Sequence, residues 1–270
     1  MNFLIECCKK YYYLNAKLKK DKSFATSDYH NLNEITKNMI QAFYELGVED
    51  DYSFIIEKFK RRYISYESNI ENNESKQEKN GIGKVYDYIC NFDIQKDSFN
   101  IFINSLKIHQ LLYSNFKGKE FGGGIRNTNV VLYDSDIEIL DPISARERFN
   151  SYISISDELM KKIDKENIIQ YIKECLVIMV DLIKTQPFAD GNKRAFRSLY
   201  NLMLKRKKLP PVYIGKDEED NFKNGLLKAM GENDYTLLTD LYLKLICDSI
   251  VSVLLQKEKI EFINETNKKI

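Results

Sequence analysis

Apolar positions recur at intervals of three and four along most of the chain, the period of an amphipathic helix. Over 34–46 the side chains Ile35, Met39, Ile40, Phe43 and Leu46 share a face, and Gly47 ends the run as a C-terminal cap would. Ser53–Tyr66 repeats the pattern through Phe54, Ile55, Phe59 and Ile64, and Ser98–Phe116 repeats it through Phe99, Phe102, Ile103, Leu106 and Tyr113. Asn167–Lys184 differs from these. Ile168, Ile169, Ile172, Cys175, Leu176, Met179, Leu182 and Ile183 cover much of its circumference, so this helix is predicted to be central and buried. Gln186-Pro187 stops it, and another helix runs from near Asn192 to about Arg206, where Lys208–Pro211 ends it. Two further helices, Asp217–Gly231 and Tyr235–Lys257, complete the pattern.

Three stretches break the helical period. Ser68–Gly83 is rich in Asn, Glu, Lys and Ser and nearly free of large apolar groups, so it reads as a loop or interdomain connection. Ile125–Tyr133 follows the glycines Gly122–Gly124 and carries Val130, Val131 and Leu132; it reads as a short β-hairpin or extended flap with a turn at Tyr133–Asp136. Pro142 opens a linker into Ala145–Tyr152. The predicted architecture is mainly α, a helical bundle with one small β-hairpin flap. It divides into an N-terminal helical arm over 1–80, a central domain over 81–255 and a polar tail over 256–270.

Composition narrows the function classes. Lys and Arg number 41 against 40 Asp and Glu, a net charge of +1, so no global electrostatic drive toward nucleic acid exists. The cluster Lys205–Lys208 suits the C-terminal end of a helix dipole instead. Five cysteines without a Cys-x-x-Cys pair point to free thiols in a reducing, cytoplasmic setting. The longest apolar run, Ile250–Leu255, is preceded by Asp248 and Ser249 and is too short to span a bilayer, so no membrane partner is expected.

The stretch that carries chemistry is Gln186–Arg197, read Gln-Pro-Phe-Ala-Asp-Gly-Asn-Lys-Arg-Ala-Phe-Arg. A buried helix delivers the chain to a tight turn, and a second helix leaves from it. Gly191 and Asn192 tolerate a left-handed backbone, so successive amides point into one concavity at the positive end of the departing helix. Arg194 and Arg197 follow one turn apart on the same face and can fork onto phosphate oxygens. Asp190 beside them suits Mg²⁺, which prefers a carboxylate combined with phosphates. Phe188 would pin the loop into the core.

This string resembles the signature of the Fic/Doc (Fido) family, His-Pro-Phe-x-Asp/Glu-Gly-Asn-Gly-Arg-x-x-Arg. Pro187–Arg197 matches except at Lys193, which stands for the second glycine. The segment Gly124–Val130 is similar to the family's flap, in which Gly124, Arg126 and Asn129 would meet the target, and the likeness extends over roughly 60–250. The resemblance implies a Fic-type helical domain that binds ATP and Mg²⁺ and transfers AMP, or another phosphate-containing group, to a Ser, Thr or Tyr hydroxyl of a partner protein. By carry-over, Asp190 would hold Mg²⁺. Gly191, Asn192, Lys193, Arg194 and Arg197 would bind the nucleotide, with Arg194 also serving catalysis at its phosphates. Ser68–Asn73 resembles the family's inhibitory helix, in which Glu71 would pair with Arg197 and block the terminal phosphate position.

The departures change the expected chemistry. Gln186 stands where the family has its catalytic histidine; an amide orients a hydroxyl but has no usable basicity near neutral pH. The only histidines, His30 and His109, sit in no motif. Lys193 also occurs in relatives resembling the Doc toxin, where phosphate itself is transferred. Three outcomes stay open: slow transfer with another base, an altered reaction on a different substrate, or a catalytically silent nucleotide-binding or interaction module. Assembly into a homo-oligomer is equally open.

Overall fold

The computed structural model describes residues 5–13, 26–45, 52–70, 75–94, 96–116, 121–132 and 136–253. Helix α1 covers 5–13. It is followed by α2 (Thr26–Glu45), α3 (Tyr52–Asn69), α4 (Lys76–Asn91), α5 (Ile101–Tyr113), α6 (Pro142–Ile163), α7 (Ile168–Thr185), α8 (Asn192–Arg206), α9 (Glu219–Glu232) and α10 (Thr236–Val253). Among the described residues there is no strand.

The helices start where side chains satisfy their first amides. Asn100, Asp141 and Asn167 cap α5, α6 and α7 through their carbonyl or carboxylate oxygens. Pro142 is therefore the first residue of α6, not a linker: its missing N–H costs nothing at that position.

The polar stretch Ser68–Gly83 also differs from its reading as a connection. Ser68 and Asn69 still belong to α3. Ser75 caps α4 by accepting from the Glu78 amide, and Lys76–Gly83 is helical. Gly81, which reads as a breaker, faces the Leu112 carbonyl of α5, and any side chain there would collide with it. The glycine sets the close approach of the two helices. Residues 71–74 lie outside the described residues.

Helices α7 and α8 form the centre. Helix α7 packs on α8, α6, α9 and α2, while α8 packs on α5, α7 and α4. Twelve of the fifteen residues of α8 are buried, so a helix that carries two arginines runs through the core. Helix α10 closes the far side against α2 and α9. Tyr11 of α1 joins this side by donating to Asp248 at 2.6 Å. All five cysteines are free and buried, as small apolar side chains would be. No helix among the described residues is long and apolar enough to cross a membrane.

Candidate functional site

The loop between α7 and α8 is shaped by two left-handed residues. Gln186 ends α7 at φ 47°, ψ 57°, and Gly191 opens α8 at φ 75°, ψ 7°. The left-handed backbone costs a residue with a Cβ about 1–2 kcal/mol, so Gln186 needs outside support. Arg126 supplies it. This residue is only 3% exposed, and its guanidinium donates to the carbonyls of Gln186 at 2.6 Å, Thr128 at 2.8 Å and Leu140 at 2.5 Å. Its amide donates to the Pro187 carbonyl at 2.9 Å. Asn192 completes the loop from inside: its amide group donates to Gln186 Oε1 and Phe188 O, and its oxygen accepts from the Phe188 N–H. Gln186 Nε2 donates to Ile183 O at 2.7 Å, so both ends of this amide are engaged.

Phe188 is fully buried and stacks on Phe196 at 5.7 Å and on the His109 ring at 3.9 Å. This pins the loop as expected of Phe188. His109 is buried among these groups, and burial pushes its imidazole down to about 4 even though the Asp190 carbonyl and charge act the other way. The Gly123 amide donates to Nδ1 at 2.8 Å, so the neutral ring carries its proton on Nε2 and donates it to the Asp190 carbonyl at 2.9 Å. His109 therefore ties the start of the flap to the turn.

One helical turn later, Tyr113 donates to Asp190 Oδ2 at 2.7 Å. Its ring lies so close over Gly191 that a Cβ there would stand 2.9 Å from the hydroxyl. The Asp190 side chain remains 77% exposed.

The arginines follow in α8 and both are taken, Arg194 also standing 3.7 Å from Asp190 Oδ2. Arg194 pairs with Glu78 of α4, a carboxylate 1% exposed. Arg197 is gripped by Glu67 of α3, whose Oε2 accepts from Nε at 3.0 Å and from Nη2 at 2.8 Å. Arg197 also lies 5.5 Å from the Phe222 ring centre. Glu71, expected to hold Arg197, lies outside the described residues, and Glu67 one turn earlier occupies that guanidinium. Lys193 is partly exposed and makes no ion pair among the described residues. Gly191 has no side chain to cap α8, so nothing from its own N-cap residue covers the first amides of that helix.

The segment read as a hairpin is not one among the described residues. Over 124–132 it runs without ladder partners, because the Arg126 amide bonds to Pro187 and not across to a second arm. Most of the expected turn, 133–135, lies outside the described residues. Gly124 and Asn129 are exposed, but Arg126 points inward and holds the loop. Sequence reading missed His109, Tyr113, Glu67 and Glu78. The i, i+4 spacing of His109 and Tyr113 was the one visible signal, since it places two hydrogen-bonding rings on a single face.

A model of the Fic/DOC family matches residues 104–204. That span contains His109, Tyr113, the flap segment and the whole of Gln186–Arg197, while Glu67 and Glu78 precede it. No curated protein matches the chain. The fold is similar to that of Fic-1 (aa134 - 508) from C. elegans, with a TM-score of 0.62 at 18% identity over 85% of this chain and 72% of that one. A Glu-to-Gly variant of the same fragment is similar too, with a TM-score of 0.62 at 17% identity over 89% of this chain and 73% of that one. The family model thus falls on the very loop and helices that build the site, and the fold around them is similar to that of the Fic-1 fragment.

Proposed function

We propose that the turn Asp190–Arg194 receives the phosphates of ATP, and that the protein transfers AMP or another phosphate-containing group to a hydroxyl of a partner protein. The observation that carries this reading is the left-handed Gly191 opening α8 without a side-chain cap, with Lys193, Arg194 and Arg197 beside it. Amides at a helix start favour anions, and guanidiniums bind phosphate by paired hydrogen bonds. Asp190 suits a shared cation. Asp190 is the residue that would hold Mg²⁺ here, since this hard cation takes a carboxylate together with phosphates. Such an ion would neutralise phosphate charge during transfer.

In that reaction the hydroxyl oxygen forms a new bond to phosphorus while the bond to the leaving phosphates breaks. Released from Ile183 and Asn192, the Gln186 amide would orient the hydroxyl but cannot take its proton, which then passes to water or to a phosphate oxygen. Both arginines must also exchange an internal carboxylate for phosphate, so the described state is restrained. Glu71, four residues beyond Glu67, is a second carboxylate that could reach Arg197. A cytoplasmic protein target and a soluble enzyme complete the reading.

A second reading, a nucleotide-binding module without turnover, is favoured by the fully engaged Gln186 amide. Labelled ATP and a cell lysate separate the two, using wild type, Glu67→Gln, Glu78→Gln, Glu71→Gly and Gln186→His. Restored basicity should raise transfer about 10²–10⁴-fold in Gln186→His. Binding of ATP by calorimetry with no label transferred in any variant supports the silent module, and absence of binding in all of them overturns both readings.

A further inference from the structure

We infer that α5 is the element that orients Asp190 toward a divalent cation, through His109 at its backbone and Tyr113 at its carboxylate. The inference rests on the Mg²⁺–ATP reading of the turn and names the residues that make its metal end work. His109 and Tyr113 are four residues apart on α5 and reach the two ends of one residue. The His109 Nε2–H donates to the Asp190 carbonyl at 2.9 Å, and the Tyr113 hydroxyl donates to Asp190 Oδ2 at 2.7 Å.

Arg194 Nη2 stands 3.7 Å from that same oxygen. Oδ2 is thus drawn toward two donors, while Oδ1 has no protein donor among the described residues and belongs to a side chain 77% exposed. One oxygen is held; the other is presented.

An exposed aspartate on a turn ordinarily samples several rotamers, and fixing it before a ligand arrives removes that entropy from the binding step. Here the clamp comes from the end of α5, with His109 buried and Tyr113 partly exposed, not from the loop itself. The His109 ring is stacked on Phe188 at 3.9 Å, and the Tyr113 ring packs on His109 at 4.8 Å and on Phe116 at 5.3 Å, so neither donor can swing away freely. Gly191 accommodates the arrangement, since a Cβ would stand 3.0 Å from Tyr113 Cε2. Tyr113 and His109 are positioning residues; Asp190 is the group that would touch the ion.

The test is calorimetric titration of the full chain with ATP in Mg²⁺ and again in EDTA, for wild type, Tyr113→Phe and Asp190→Ala. Phenylalanine keeps the ring over Gly191 and removes only the donor; matching thermal unfolding would establish that the fold is retained. In wild type Mg²⁺ should strengthen binding. In Tyr113→Phe the EDTA affinity should be unchanged while the strengthening by Mg²⁺ falls about 10-fold or more, the effect of losing a hydrogen bond to a metal ligand. Asp190→Ala should abolish it.

Equal Mg²⁺ dependence in wild type and Tyr113→Phe overturns the clamp alone. Equal weakening with and without Mg²⁺ does the same, because Tyr113 would then act on the nucleotide or the fold. Wild-type binding that ignores Mg²⁺ removes the metal end but leaves the phosphate cradle standing, and no binding at all removes both.

Discussion

The two sides of one turn are built on opposite principles. On the arginine side, Arg194 and Arg197 are buried and matched by Glu78 and Glu67, each no more than 3% exposed. On the aspartate side, Asp190 is largely exposed and is held by two neutral donors, His109 and Tyr113, with the Arg194 guanidinium 3.7 Å from its Oδ2. Buried opposite charges attract strongly but must each be stripped of water, so removing one partner is severe. Hydrogen bonds to an exposed group cost little to form and little to lose, because water replaces them. One side is satisfied by internal carboxylates; the other leaves a carboxylate largely exposed.

The comparison can be broken from the largest effect downward. Glu67→Ala leaves the Arg197 guanidinium buried without its carboxylate and should lower stability by about 3–5 kcal/mol in urea unfolding. Asp190→Ala, by contrast, should stay within about 0.5–1 kcal/mol. Similar losses in the two variants would erase the distinction between the sides.

Acid sharpens it next. The folded His109 titrates near 4 against an ordinary 6.5. The unfolded chain therefore binds the extra proton first as pH falls. Stability from the neutral ring is complete above pH 6.5, is lost progressively between 6.5 and 4, and changes no further below that. The loss should reach about 3 kcal/mol. It is read as the difference between wild type and His109→Gln in urea midpoints, taken at a pH above the ordinary histidine range and again at one just above the folded value. Parallel profiles would show that His109 does not carry it.

Gly191→Ala tests the seam between the sides. It combines φ 75° with a Cβ 2.9 Å from the Tyr113 hydroxyl. Left-handed strain alone is about 1–2 kcal/mol, so a loss of about 2 kcal/mol is expected in thermal unfolding, together with weaker ATP binding. An unchanged melting temperature would mean that the turn accepts another backbone.

Much of the site was legible because it is local. The periodicity of Asn167–Lys184, the breakers at Gln186-Pro187 and the glycine at 191 define a helix, a turn and a second helix in one continuous stretch, and the structure has α7, the loop and α8 there. What failed to show had non-local causes. The first half of α4 is polar and contains Gly81 and Gly83, so its local helix signal is confined to the Ser75–Glu78 cap; contact with Leu112 and the pairing of Glu78 with Arg194 carry the rest. The flap carries β-branched residues in a row, yet its anchor, Arg126, bonds to Gln186, 60 positions away, and to the neighbouring Pro187.

By itself, then, the sequence determined a central apolar helix and a tight turn followed by two arginines a helical turn apart, because these depend on backbone preferences and helical spacing over short distances. Only the tertiary structure decided which carboxylates hold those arginines and which rings hold Asp190. Tyr113 lies 77 positions from Asp190 and Glu67 lies 130 from Arg197, so their meeting follows from how the helices pack and not from any local pattern.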